Sequence, residues 1–240
     1  MSGAVFSYAL LAALATALLV AAFTDCRRRE IDNGLNAAIA LAAPLWWLSM
    51  GLGWIEIGMQ LVLCAITFAL ACVLFALRQM GGGDVKLLTV LALWFPAGSF
   101  MQLVMLMAVI GGGGSIVMAA FNMKRIPGEA LRDGLALVAA LAWFLGACAV
   151  IYSMTMQRPL IDPETTAAIA ASMPASMSAV LIVALVVVTA LLLLTLGFLH
   201  IVRRQRSRLP IPYGIAIAAA GLWVLGAQTL SAARMAAQSG

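Results

Sequence analysis

Apolar residues run along this chain in long unbroken stretches rather than alternating with polar positions as on a half-solvated helix or strand. Stretches at 3–23, 35–55, 57–77, 99–121, 134–156, 177–200 and 213–233 are each near the roughly 20 residues a helix needs to cross about 30 Å of hydrocarbon. A further piece, Leu87 to Phe95, is too brief to cross unaided. The pattern predicts an all-α fold, a polytopic transmembrane helical bundle of about eight membrane segments if the short piece counts. The loops are short, no internal repeat is visible, and residues 1–240 read as one transmembrane domain. The longest external loop, about 157–176, lacks a core-forming pattern and reads as a mobile surface loop. Gly111 to Gly114 lie inside a span, either for close helix packing or as a flexible point.

Composition agrees with this reading. Hydrophobic residues make up 65% of the chain and charged ones 10%, with a mean hydropathy of +1.09, against roughly 45–50% and 25% in soluble domains. With the N-terminus outside and all eight segments crossing, Arg27, Arg28, Arg29, Arg78, Lys86, Lys124, Arg125, Arg132, Arg203, Arg204, Arg206 and Arg208 all face the cytoplasm. Only Arg158 and Arg234 do not. That arrangement requires residues 87–95 to be a crossing, in a thinned or polar part of the protein. The net charge of +5 is then positive-inside bias, and no nucleic-acid partner is expected. The first apolar segment has no basic residue before it and reads as a retained helix, not a cleaved signal peptide. Cys26, Cys64, Cys72 and Cys148 have no C-x-x-C spacing and His200 is the only histidine, so no Cys/His metal site is expected. His200 itself reads as interfacial.

Two loops hold most of the polar chemistry. One reads Thr24-Asp25-Cys26-Arg27-Arg28-Arg29-Glu30-Ile31-Asp32-Asn33 and the other Arg78-Gln79-Met80-Gly81-Gly82-Gly83-Asp84-Val85-Lys86. Two spans separate them, out and back, so Asp25 and Asp84 return to the same membrane face. Taken singly, Asp84 after three glycines fits an N-cap, and Asp25 beside three arginines fits a solvated flank. Taken together, two carboxylates in a poorly hydrated site share one proton. The charged one deprotonates a water while the protonated one polarises an amide carbonyl, which hydrolyses a peptide bond without metal or covalent intermediate.

Asp25 followed by Arg29, Ile31 and Asn33 resembles the first motif of the type IV prepilin peptidases, and Gly81-Gly82-Gly83-Asp84-Val85-Lys86 resembles their G-x-G-D-x-K motif. Leu209-Pro210-Ile211-Pro212-Tyr213-Gly214 is similar to the Pro-aromatic-Gly entry of the family's last helix, with a structural role implied. The resemblance implies Asp25 and Asp84 as catalytic residues, supported by Gly81, Gly82, Gly83, Lys86, Arg29 and Asn33, with no cofactor. Lys86 either orients Asp84 or the scissile carbonyl, or snorkels to the interface. The implied substrates are prepilins and pilin-like proteins, cut after a short basic leader at the cytoplasmic face of the bacterial inner membrane. The large loop with paired C-x-x-C motifs found in members that also methylate is absent from this sequence, as in the small form of tight-adherence (Flp) pilus systems.

Two positions depart from the family pattern. Asp32 stands where the family has proline, and either alters the charge of the site or points to water. The family core has about six spans, so the likeness covers residues 1–125 and 205–235, and the helices within 134–200 form an inserted pair. That pair packs, contacts membrane lipid or docks a partner. Three rival readings use the same residues: a proton- or cation-coupled transporter, a non-catalytic pilus assembly subunit that clamps pilin precursors, and a presenilin-like peptidase. In the last of these the first aspartate follows tyrosine within a span, whereas Asp25 follows Thr24 at a span's end.

Overall fold

The computed structural model describes residues 2–124, 126–156, 158–160, 162–172, 177–204 and 213–238. Among them are nine α-helices and no β-strand: α1 (Ser2–Arg28), α2 (Asn33–Met50), α3 (Trp54–Ala76), α4 (Gly82–Leu91), α5 (Ala97–Phe121), α6 (Ala130–Met156), α7 (Pro163–Ser172), α8 (Met177–Arg203) and α9 (Tyr213–Gln238). Six of these, α1, α3, α5, α6, α8 and α9, are long and apolar enough to cross a membrane, so the protein is a multi-spanning helical membrane bundle. The 18-residue α2, with Pro44 inside it, and the 10-residue α4 fall outside that set. The region expected to be a plain surface loop holds α7, opened by Pro163 with Glu164 in its first turn, both favourable at a helix start. Of the proline-glycine motif near the last helix, residues 209–212 lie outside the described residues, while Tyr213 and Gly214 begin α9.

The chain forms two compact units, Met1–Gly111 with Pro212–Gly240, and Gly112–Ile211. In the first, α9 lies along α1, while α4 packs against α2, α3 and α9. The short segment is therefore wrapped in protein: Leu87, Leu91, Ala92 and Phe95 are fully buried. Non-helical backbone at membrane depth is tolerated where protein covers it and hydrogen bonds satisfy it. After α4 the chain turns with Trp94 N–H donating to Leu91 O at 3.0 Å. Two indoles clamp the turn: Trp47 Nε1 donates to Leu93 O at 2.7 Å, and Trp94 Nε1 to Ile39 O at 2.9 Å. Trp46 and Trp94 stack with ring centroids 6.0 Å apart.

In the second unit α6 packs on α8. A Cβ on Gly197 would come within 2.8 Å of Ala139 Cβ, the close approach that small residues permit in membranes. One on Gly113 would strike the Phe144 ring at 2.2 Å, so of the two roles considered for the glycine run, packing is the one seen here, and α5 runs through it unbroken. His200 does more than sit at an interface. Its Nε2 lies 2.9 Å from the buried Asp133 carboxylate, which also receives Arg204 Nη1 at 3.3 Å, while Arg204 Nη2 pairs with Glu129. Arg204 is partly buried, and Asp133 keeps His200 when it is removed, so Arg204→Ala is expected to destabilise this unit by about 2 kcal/mol through loss of its charge-assisted hydrogen bonds. Arg204→Lys is expected to recover part of that loss, read by thermal unfolding in detergent.

Candidate active site

Both aspartate loops begin in the same way. Helix α1 ends at Arg28, and the next residue, Arg29, has a left-handed φ of 56° while its N–H still reaches Asp25 O at 2.9 Å. After α3 the turn is made by Arg78, with φ 57° and its N–H on Phe75 O at 2.9 Å. Left-handed backbone is uncommon outside glycine and turns the chain sharply. Each arginine thus sends the chain into its loop as soon as its helix stops.

Asp84 is not itself the N-cap. Gly81 holds that position, and Asp84, at the third helical residue, reaches back so that Oδ2 accepts the Gly81 N–H at 3.3 Å. Gly83 brings the two loops together: a Cβ there would lie 3.2 Å from Ile31 Cβ and 3.3 Å from Ile31 N. Gly82 faces only the Phe75 ring, at 3.5 Å. Val85, Leu87 and Leu88 are buried beyond it, so the carboxyl end of Asp84 is drawn inside with the helix start.

Asp25 and Asp84 are 6% and 8% exposed. Burial pushes the Asp84 carboxyl up to about 6; the negative charge of Asp25 adds to the rise, and the Gly81 N–H opposes it. The two carboxylates are therefore near enough to act on one another. On its other side Asp25 meets the start of α9, where the backbone N–H groups of Gly214 and Ile215 are turned toward it. Its Oδ2 is buried with no hydrogen-bond partner. Arg29 is exposed, with its charge within reach of Asp25.

Lys86 is exposed and reaches the first loop. Its Nζ donates to Asn33 Oδ1 at 2.7 Å, joining the first turn of α2 to α4. A double-mutant cycle of Lys86→Met and Asn33→Ala is expected to give a coupling of about 1 kcal/mol in unfolding free energy, modest because both groups are exposed. Asp32 stays out of the site: it is the exposed N-cap of α2 and accepts the Gly34 N–H at 3.0 Å.

Two residues escaped the sequence reading as participants. Asn36 is buried on α2 with both side-chain atoms unpartnered, an expensive state that demands a reason. An asparagine one turn after Asn33, inside an apolar helix, was the available signal. Gly214 was read as shaping a helix start, whereas a Cβ on it would sit 2.6 Å from Asp25 Oδ2. Only proximity in space reveals that, since 189 positions separate the two in sequence (214 − 25).

No curated protein and no solved structure matches the chain. Residues 12–116, which include both aspartates and both loops, match the model of the type IV leader peptidase family, and the chain carries a domain of that family over this part of its length.

Proposed function

We propose that the protein is an intramembrane aspartyl endopeptidase that removes the short basic leader from type IV or Flp prepilins and pilin-like proteins. The observation that carries this reading is the buried Asp84, raised to about 6 in part by the charge of Asp25, within a leader-peptidase domain. A pair holding one proton has the two states that peptide hydrolysis needs. Asp84 keeps the proton and hydrogen-bonds the scissile carbonyl oxygen; Asp25 takes a proton from water, which attacks the carbonyl carbon. As the tetrahedral intermediate collapses, the C–N bond breaks, the departing nitrogen takes the proton that Asp25 removed from water, and Asp84 is left protonated, so the pair returns to its starting state. Gly81, Gly82 and Gly83 let the Asp84 loop lie close to the first loop, and Arg29, Asn33 and Lys86 fix the edges of both.

The reading extends to topology: eight crossings, the N-terminus outside, and the aspartate loops at the cytoplasmic face of the bacterial inner membrane, an arrangement that the cation distribution favours. In this reading the helices within 134–200 are an insertion between the core segments 1–125 and 205–235. The apolar helix that follows the leader has to approach laterally. A cavity of about 760 Å³ lined by Leu11, Trp46, Met59, Leu63, Ile66 and Gln228, from α1, α2, α3 and α9, offers mostly apolar surface for it. The test is cleavage of a leader-bearing pilin precursor by the purified chain, compared with Asp25→Asn and Asp84→Asn.

A further inference from the structure

Helix α9 touches α1 through two glycines that differ in what they face. A Cβ on Gly221 would meet Leu18 Cδ1 at 2.9 Å, the tip of a flexible side chain. One on Gly214 would meet Asp25 Oδ2 at 2.6 Å, Cγ at 2.8 Å and Cβ at 3.0 Å. The whole short side chain of Asp25 is therefore in the way. It has no free end to swing aside, so a side chain at position 214 would displace either the carboxyl or the start of α9.

The contact is also electrostatic in kind. The first N–H groups of a helix have no partner within it and carry its positive end, and those of Gly214 and Ile215 are the ones turned to Asp25. Among the described residues, Asp84 from α4, Arg29 just beyond α1 and this helix start are the groups that act electrostatically with the carboxylate. The matched family domain ends at residue 116, so α9 lies outside it and reaches the aspartate from the far end of the chain.

We propose that Gly214 is a positioning residue for the cleavage reaction: having no side chain, it lets the first turn of α9 abut Asp25 and hold the carboxyl toward Asp84. This rests on the peptidase reading above. A displacement of about 1 Å in a reacting group costs on the order of a hundredfold in rate. Gly214→Ala is therefore expected to lower kcat by about that factor with KM unchanged. Gly221→Ala, at the same helix interface, is expected to lower the unfolding temperature at least as much while keeping kcat within about threefold of the unaltered chain. Gly226→Ala, which meets nothing within 4 Å, is expected to change neither. If Gly214→Ala keeps its kcat, or if both interface variants lose activity in proportion to their stability, Gly214 is only a packing glycine and the proposal fails.

A second measurement does not depend on catalysis. With the four native cysteines replaced by serine, Asp25→Cys paired with Gly214→Cys is expected to form a disulfide in membranes, detected by mass spectrometry. Asp25→Cys paired with Gly226→Cys is expected not to. No cross-link in the first pair overturns the contact whatever the enzyme does. A cross-link in a chain whose unaltered form cleaves no leader-bearing precursor removes the peptidase reading, and the positioning role with it.

Discussion

Asp84→Asn is expected to lose cleavage by at least about a thousandfold and, at pH 8, to unfold at a higher temperature than the unaltered protein. The two effects have one cause. The Asp84 carboxyl titrates at about 6 in the folded protein against an ordinary 3.8, because burial and the Asp25 charge disfavour its ionised form. Folding therefore takes up a proton between these values. Stability is greatest below about pH 4, falls as pH rises through about 6, and stays low above that. One pKa unit is worth about 1.4 kcal/mol, so the loss is of the order of 3 kcal/mol. Asparagine carries no charge to bury, so the variant lacks the loss and its advantage should vanish near pH 4. Unfolding in detergent at pH 4 and pH 8 measures both. An N-terminal aspartate that merely helps to start a helix would behave in the opposite way, since its removal lowers stability.

Asp25→Asn is expected to abolish cleavage to a similar extent and to flatten, without removing, the pH dependence of stability. The Asp25 charge is the second cause of the raised Asp84 value, and burial, the first, remains when that charge is gone. Asp84 should then titrate closer to its ordinary range, and less stability should be lost between pH 4 and pH 6. A solvated flank would leave both activity and pH slope untouched when neutralised. Comparing the stability slopes of the unaltered protein and this variant reads the coupling between the two carboxylates even where no substrate is cleaved.

The sequence disclosed the helices far better than the contacts between them. Apolar runs of spanning length need no partner to be recognised, and each such run is largely helical among the described residues, the one at 35–55 breaking at residues 51–53 between α2 and α3. Leu87 to Phe95 was visible as a short apolar piece, but its enclosure by α2, α3 and α9 and the Trp47 and Trp94 hydrogen bonds depend on which helices become neighbours. Helix α7 was missed because its Ala, Ser and Thr content has no apolar stripe; its signal was local, in the proline and glutamate that open it. At the site, the return of Asp25 and Asp84 to one face followed from counting spans. The Lys86 to Asn33 bond, the burial of Asn36 and the approach of Gly214 did not, because each joins helices at a register that no sequence spacing encodes.

The central claim is that Asp25 and Asp84 act as one catalytic pair. It is tested most directly by incubating a leader-bearing pilin precursor with the detergent-purified chain and, in parallel, with folded Asp25→Asn and Asp84→Asn proteins. Leader removal by the unaltered chain and none by either variant is the expected result; leader removal that survives both substitutions contradicts it.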